Sequence, residues 1–576
     1  MSEQELKLHV PRAARAGVRR ELEQGACTRI RLQALYFDTP GRELAKARVA
    51  IRLRKEGRQW VQTLKAPGDH ALARMELNHE RPGPVLDLSV YADTAVAPVL
   101  AGLKGELSVR YETDVSRLLR RIRTRHGTVE AAFDTGCLRA GQLELPLSEV
   151  EFELVSGRLD AVFDLGRRWL RKHGLVLDLR SKSERGDALA RTAQALAQAG
   201  SDAERERVVR GFWAPWPAGT APLAPDMTPE QALRAVGYEC LEQVVRNATV
   251  LAEADTDGRY LAGNPDHVHQ LRVGMRRLRS AWKLFRGWTP DPAPELVQAA
   301  RQHFADFGLS RDADVLRDTV LPTLERAGMP ALELPASGPD VDARAKAASA
   351  GFQGWLLEML AWTIGLPAAH AAGTAPARSA AAAGDPAAGG TASGDPAAGG
   401  RAMAASASGA GTSAAHAGAA LQPSGDEGET PALAGEVEII PLSAPPPPRL
   451  RALLEKRLHK WHKALVAEGA QFLSLPAEAR HELRKKGKRL RYGLSFAEPL
   501  LSSQRVKAYR KALSAVQDIL GEMNDLHVAL SHFETLTAGH PQAWFARGWI
   551  TARLDALSQQ AERAFVALGE SKPFWK

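Results

Sequence analysis

The 576-residue chain is 44% hydrophobic and 25% charged, with a formal net charge of +9. That balance belongs to a soluble multidomain protein; no run of about 18 apolar residues offers a membrane span, and no basic-then-apolar leader marks secretion. Three cysteines, Cys27, Cys137 and Cys240, are odd in number and far apart, which argues against a disulfide framework or a cysteine-held zinc and suits a reducing, cytoplasmic compartment. The charge is uneven: residues 1–200 hold 34 Lys+Arg against 26 Asp+Glu, and residues 451–500 hold 12 against 5. Local excesses of this kind point to anionic partners.

In chain order, Glu3-Gln4-Glu5-Leu6-Lys7 alternates, so a strand there carries Glu3, Glu5 and Lys7 on one face and Leu6 and Leu8 on the other. Leu35–Thr39 is a short strand. Val49–Arg54 and Trp60–Lys65, separated by a turn at Glu56-Gly57, read as a hairpin with Arg52, Arg54 and Lys65 on its polar side. Arg74, Glu76, Asn78 and Glu80 alternate on a further stretch, and Thr113-Asp114 leads to Arg117, Arg120, Arg121 and Arg123. Val129–Asp134 reads as a strand that turns at Gly136. In Glu149-Val150-Glu151-Phe152-Glu153-Leu154 three carboxylates share a strand face; they repel, and a hard divalent cation would explain their placement. Residues 158–173 read as a helix. Strands whose polar faces carry either carboxylates or cations cannot fill a dry core. A barrel with a polar interior accommodates them, and so does a sheet with helices on its apolar face and its charges in water.

The ordered set Glu3-x-Glu5-x-Lys7, Tyr36-Phe37-Asp38-Thr39, Ile51-Arg52-Leu53-Arg54, Gln62-Thr63-Leu64-Lys65, Thr113-Asp114-x-x-Arg117, Glu149-x-Glu151-x-Glu153 and Ser181-Lys182-x-Glu184-Arg185-Gly186 resembles the CYTH domains of the triphosphate tunnel metalloenzymes. The resemblance covers roughly residues 1–200. It implies an eight-stranded antiparallel β-barrel enclosing a tunnel, and hydrolysis of a triphosphate with Mg2+ or Mn2+. It further implies metal ligands at Glu3, Glu5, Glu151 and Glu153, and catalytic roles for Lys65 and Glu149. The cationic clamp it implies consists of Lys7, Arg52, Arg54, Lys65, Arg117, Arg121, Lys182 and Arg185. Asn78, where many members have an acid, and Asp187, where an aromatic is usual, depart from that pattern.

Ser201–Arg210 is helical in pattern, and the tryptophan- and proline-rich stretch after it reads as a linker over 206–228, ending a domain of residues 1–205. From Thr228-Pro229-Glu230-Gln231, an N-terminal helix signal, the period becomes helical. Residues 230–254 and 266–287 fit long helices. The segment His269-Gln270-Leu271-Arg272 through Arg276-Arg277-Leu278-Arg279 recurs as His481-Glu482-Leu483-Arg484 through Lys488-Arg489-Leu490-Arg491, the mark of a duplicated helical unit. Positions i, i+3, i+7 and i+10 fall within about 80° of arc. His269, Arg272, Arg276 and Arg279, extended by Lys283, therefore form one stripe. His481, Arg484, Lys488 and Arg491, with Lys485 beside them, form its twin, and Leu271 and Leu278 take a packing face. Two such stripes facing each other would make a groove for a polyanion; a solvated charged face has the same pattern in a single helix.

This half resembles the CHAD domain, a helical companion of CYTH domains associated with inorganic polyphosphate. The whole is thus expected to be a multidomain α+β protein: the barrel, then an all-α domain of two pseudo-symmetric helical bundles at 229–366 and 449–572. Between them residues 367–448, rich in Ala, Gly and Pro with a repeated Gly-Asp-Pro-Ala-Ala-Gly-Gly, read as a disordered insertion. Arg311-Asp312-x-Asp314 and Asn524-Asp525 match acidic motifs of that family and read as structural. The expected function is hydrolysis of inorganic triphosphate, with the helical half on polyphosphate, including polyphosphate granules. The alternatives are a thiamine or nucleoside triphosphatase, an adenylate cyclase, or a non-enzymatic polyphosphate-binding protein. No segment specifies a base pocket, and a pure polyanion binder gains nothing from the carboxylate set. Nucleic acid is the weaker partner, since the basic helices lack stacking aromatics. No membrane is expected as a partner, and oligomeric state is not legible.

Overall fold

The computed structural model describes residues 2–68, 72–256, 262–308, 316–332, 342–366, 449–571 and 574–575. The 367–448 insertion and the Arg311–Asp314 motif lie outside the described residues.

Eight antiparallel strands close on themselves: β1 (Ser2–His9), β2 (Thr28–Asp38), β3 (Ala50–Glu56), β4 (Gln59–Pro67), β5 (Ala73–Arg81), β6 (Ser108–Thr124), β7 (Gly127–Ala140) and β8 (Leu143–Gly157) run in the order β5-β4-β3-β2-β6-β7-β8-β1, with β1 also pairing β5. A two-residue strand, β9 (Val176–Leu177), adds to β1. Alternation puts the large apolar side chains outside. Leu6, Leu8, Val150 and Phe152 are fully buried there, under α2 (Asp160–His173), which follows the short α1 (Arg15–Glu23). Phe152 meets Trp169 of α2 edge-on at 5.3 Å between ring centroids. Ile51 and Leu64 are covered by Leu44, Tyr91 and Val96. The apolar residues spent on the outer wall leave the inner wall to charge.

The β3–β4 hairpin turns at Gly57, whose φ of 61° suits glycine. Gly136, expected at a turn, instead lies mid-strand in β7 opposite Val115, and a side chain there would overlap the Asp114 carbonyl oxygen. The strand runs on to Ala140. A close backbone approach, not a turn, is what this glycine serves.

Ser181 caps α3 (Lys182–Gln198), accepting from the Glu184 backbone N–H at 3.1 Å. Leu189 and Ala190 of α3 pack with Tyr36, Tyr111, Leu138, Leu145 and Leu147 from β2, β6, β7 and β8. The expected boundary at 205 falls inside α4 (Asp202–Phe212). Within the expected linker, Trp216 and Asn247 exchange hydrogen bonds of 3.0 and 2.9 Å, and Gly219 N–H donates to Glu239 at 2.6 Å. The segment is strapped to the helices rather than hanging free.

The helical region comprises α5 (Pro229–Leu251), α6 (Pro265–Phe285), α7 (Pro294–Asp306), α8 (Ala350–Thr363), α9 (Leu450–Gly469), α10 (Ala477–Ala497), α11 (Ser503–Leu536) and α12 (Gln542–Glu570), with shorter turns between. Thr228 and Gln231 form the expected capping box on α5. Leu271, Leu278, Leu483 and Leu490 are fully buried, so the repeated segments of α6 and α10 pack through their leucines. One apolar core runs from the outer wall of β1 and β8 through α2 into these helices. Polar contacts pin the same junction: Arg167 forks onto Glu358 at 2.5 and 3.1 Å, Leu177 N–H donates to Gln353 at 2.8 Å, and Thr249 donates to the Leu177 carbonyl at 3.2 Å. Among the described residues no helix is long and apolar enough to cross a membrane.

Candidate active site and a second cationic region

Strand register decides which inward side chains meet. Across β1 and β8, Glu5 pairs with Glu153, Lys7 with Glu151 and His9 with Glu149; across β7 and β8, Asp134 pairs with Glu149; Arg117 of β6 pairs with Asp134, and Lys65 of β4 with Glu76. Opposed residues on one face are within side-chain reach. The result is a cavity of about 250 Å³ lined by Glu3, Glu5, Lys7, Arg52, Arg54, Lys65, Arg117, Glu151, Glu153 and Lys182, all anticipated, and by Tyr36, Glu76, Asn78, Thr113, Glu130, Asp134, Ser181 and Ser183.

Charge is sorted within it. Arg117 forks onto Asp134 at 2.7 Å and reaches Glu151 at 2.6 Å. Lys182 Nζ stands 2.8 Å from Asp134, 2.5 Å from Glu149 and 2.7 Å from Glu151. Asp134, Glu149 and Glu151 bring their oxygens within 4.8 Å of one another, yet the Lys182 ammonium already sits among them. Their negative charge is compensated. Burial would raise Asp134 and Glu151, but Lys182 and Arg117 outweigh it and hold both below the usual carboxylate range.

The opposite holds around Glu3. Burial, then the hydrogen bond and charge of Glu76 and the charge of Glu153, push Glu3 up to about 8 against the pull of Lys65. Glu153 is raised by burial, then by Glu130 and Glu5. Lys65 serves both Glu3, at 3.2 Å, and Glu76. These carboxylates are short of positive charge, and an all-oxygen donor set suits a hard divalent cation. Burial would raise Glu76 as well, but Lys65, the hydrogen bond with Glu3 and Arg52 bring it down to about 2, so Glu3 and Glu153 are the pair left short, whereas Glu151 is tied to Arg117 and Lys182. Among the cations Arg54 shows the mirror image: burial, then Arg52 and Arg117, bring it down to about 10. Burial also lowers Lys7.

Three anticipated site residues do not line the cavity. Glu149 and Arg185, 1% and 4% exposed, pair with each other behind Lys182. Arg121 continues the inward parity of Arg117 along β6, but its side chain is 68% exposed and pairs with Glu130 at 3.2 Å. Asp134 and Glu76 were not singled out from the sequence. Both sit on alternating inward positions, but the register that gives them partners is not written in their own strands. Asp187, the departure beside Gly186, accepts a fork of hydrogen bonds from Arg42 at 2.8 and 2.5 Å.

The two basic stripes lie on α6 and α10, which pack together: Leu284 lies 3.6 Å from where a Cβ on Gly493 would stand. Burial, then Arg484, Arg276 and Arg491, bring Lys488 down to about 7, with Asp525 the opposing charge. Arg276 of one stripe therefore faces Lys488 of the other. Lys283 is lowered by burial, then by Arg489, Arg279 and Arg286. The guanidiniums of Arg272, Arg276 and Arg279 lie 4.7, 5.9 and 5.6 Å from the centre of the Phe304 ring, and Arg272 also donates to the Phe307 carbonyl at 2.8 Å. His269 is half-buried, whereas His481 and Lys485 are exposed, the last pairing with Glu482 at 2.7 Å. Arg277, adjacent in sequence, faces inward instead: it is 2% exposed and bound by Glu239 and Gln243.

A family model described as CYTH domain matches residues 1–186, and one described as CHAD domain matches residues 238–534. An inorganic triphosphatase of Haemophilus influenzae is 31% identical over 158 residues, which is 26% of this chain and 44% of that protein, so the chain spans less than half of this curated relative. Among solved structures, the CHAD domain of Ricinus communis covers 62% of this chain and 98% of its own at 23% identity, with a TM-score of 0.38. A Hippeastrum protein described as having a dominant triphosphatase activity covers 32% of this chain and 95% of its own at 18% identity, with a TM-score of 0.24.

Proposed function

The chain belongs to the CHAD domain family and carries a CYTH domain at its N-terminus, and we propose that its barrel hydrolyses inorganic triphosphate to pyrophosphate and phosphate while its helical region binds inorganic polyphosphate. One observation carries the reading. A single cavity holds under-compensated carboxylates at Glu3 and Glu153 beside Arg54, which burial and then the charges of Arg52 and Arg117 bring down to about 10. A metal-bound polyanion relieves both at once.

In this reading Arg52, Arg54, Arg117, Lys7 and Lys182 hold phosphate oxygens and stabilise charge as it develops on the bridging oxygen. Glu3, Glu5 and Glu153, with Glu76, would hold Mg2+ or Mn2+, which supplies charge neutralisation and polarisation of the phosphoryl group. Lys65 ties that carboxylate set to the cationic wall. Glu149 acts through Lys182, whose ammonium it positions from behind the wall.

A volume of about 250 Å³ lies below the roughly 300–1,000 Å³ usual for organic ligands. Among the described residues the one lining aromatic, Tyr36, is already stacked on Tyr111 at 4.7 Å. Both facts favour inorganic triphosphate over a nucleoside or thiamine triphosphate and over a cyclase. The arginines and lysines gathered where α6 packs on α10 support the polyphosphate role.

The test is phosphate release from inorganic triphosphate, ATP and thiamine triphosphate with Mg2+ or Mn2+, using wild type and Glu5→Gln. Mutation-sensitive release chiefly from inorganic triphosphate supports the reading. Failure to turn over any of the three, with polyphosphate still bound, leaves only the binding protein.

A further inference from the structure

The segment from Asp178 to Gly186 lies between the barrel interior and the helical region, and the helical region holds it at two points. Arg246 of α5 pairs with Glu184. Asp255, just beyond the end of α5 and with its side chain 4% exposed, pairs with Arg180 and lies 3.5 Å from Arg185.

Two chains of contact leave Asp255, and each ends on a cation lining the cavity. In the first, Arg180 is forked by Asp178 at 3.0 and 2.9 Å, and its backbone carbonyl accepts from the Lys7 ammonium. In the second, Arg185 pairs with Glu149, whose other oxygen stands 2.5 Å from Lys182 Nζ. Every link is buried or nearly so. Charges in such surroundings interact far more strongly than in water, and a buried cation that loses one partner leans on those that remain.

We infer that Asp255 is a positioning residue of the tunnel: the helical region completes the barrel's site by fixing Arg180 and Arg185, and through them Lys7, Glu149 and Lys182. Without the Asp255 charge, Arg185 draws Glu149 toward itself and away from Lys182. Arg180 is then left to Asp178 alone. The cavity keeps all its side chains but loses the alignment of two of them. The Arg167–Glu358 pair serves as the internal contrast. It joins α2 to α8 across the same junction, and its further polar partners among the described residues, Asp164 and Arg171, do not line the cavity.

The inference rests on the tunnel reading above, and steady-state kinetics of the full chain on inorganic triphosphate with Mg2+ separate the two. Asp255→Asn, nearly isosteric, is expected to lower kcat by about tenfold or more with a smaller change in KM. Asp255→Glu restores part of the loss. Glu358→Gln leaves both constants at the wild-type level. If Asp255→Asn destabilises the fold, Arg246→Gln, which releases the same segment through Glu184, provides a second variant with the same expected direction. Wild-type rates in Asp255→Asn, or equal losses in Asp255→Asn and Glu358→Gln, overturn the positioning role. A wild-type chain that does not turn over the substrate overturns the tunnel reading itself.

Discussion

Asp134 and Lys182 stand 2.8 Å apart in the barrel interior, with the Asp134 side chain 1% exposed. Arg117 closes the group at 2.7 Å from the same carboxylate. Because the two cations hold Asp134 below its unfolded pKa of about 4, the stabilisation is complete above that value and disappears as pH falls through the folded one. Asp134→Asn should cost about 3 kcal/mol at pH 7 by denaturant unfolding. The gap to wild type should narrow as pH is lowered through the carboxylate range; a pH-independent gap would show that the charge is not what stabilises.

Glu5 lies opposite Glu153 and lines the same cavity. Glu5→Gln should lower metal-dependent phosphate release by about 100-fold while polyphosphate binding, measured by filter retention, stays at the wild-type level. Loss of both would mean that the two activities share a site.

Gly186 packs so closely on Tyr111 that a methyl group would overlap the ring carbons. Gly186→Ala should therefore destabilise by about 1–3 kcal/mol and displace α3. Gly354 in α8 has open space around it, so Gly354→Ala should be neutral or stabilise by up to about 1 kcal/mol. Thermal unfolding of the pair checks both.

Arg276 of α6 lies close enough to Lys488 of α10 for its charge to lower that ammonium's pKa. Reversing both to Glu places like charges against a bound polyanion, which costs several kcal/mol. Polyphosphate retention should be lost and triphosphate turnover kept. Retention at wild-type strength would move the polyanion site elsewhere.

Lys488, brought down to about 7 by burial and then by Arg484, Arg276 and Arg491, is partly neutral at physiological pH. A bound polyanion favours the ammonium, so binding takes up a proton. Affinity should be flat below the free pKa and fall as pH rises above about 7. Lys488→Arg, charged throughout, should flatten that slope. Isothermal titration in two buffers of different ionisation heat reads the proton uptake directly.

Much of the barrel was legible because alternation is local. Glu3, Glu5 and Lys7, or Glu149, Glu151 and Glu153, announce a charged strand face whatever the tertiary context, and their order along the chain carries the family resemblance. The cationic stripes of α6 and α10 were legible for the same reason, since helical period places His269, Arg272, Arg276 and Arg279 together. Asp134 and Glu76 were not. Each looks like any acidic residue on an alternating strand until register sets it against Arg117 or Lys65.

What the sequence determined by itself is therefore the inventory and the facing: which side chains point inward, which helices carry the basic stripes, and where the apolar face of each element lies. What only the tertiary structure decided is the pairing. Closure of β1 on β5, the depth of α3 against Tyr111, and the reach of Asp255 to Arg180 and Arg185 join residues about seventy positions apart. Such contacts depend on register and docking angle, which are fixed when many elements bury their apolar faces together, and no short window of residues encodes them.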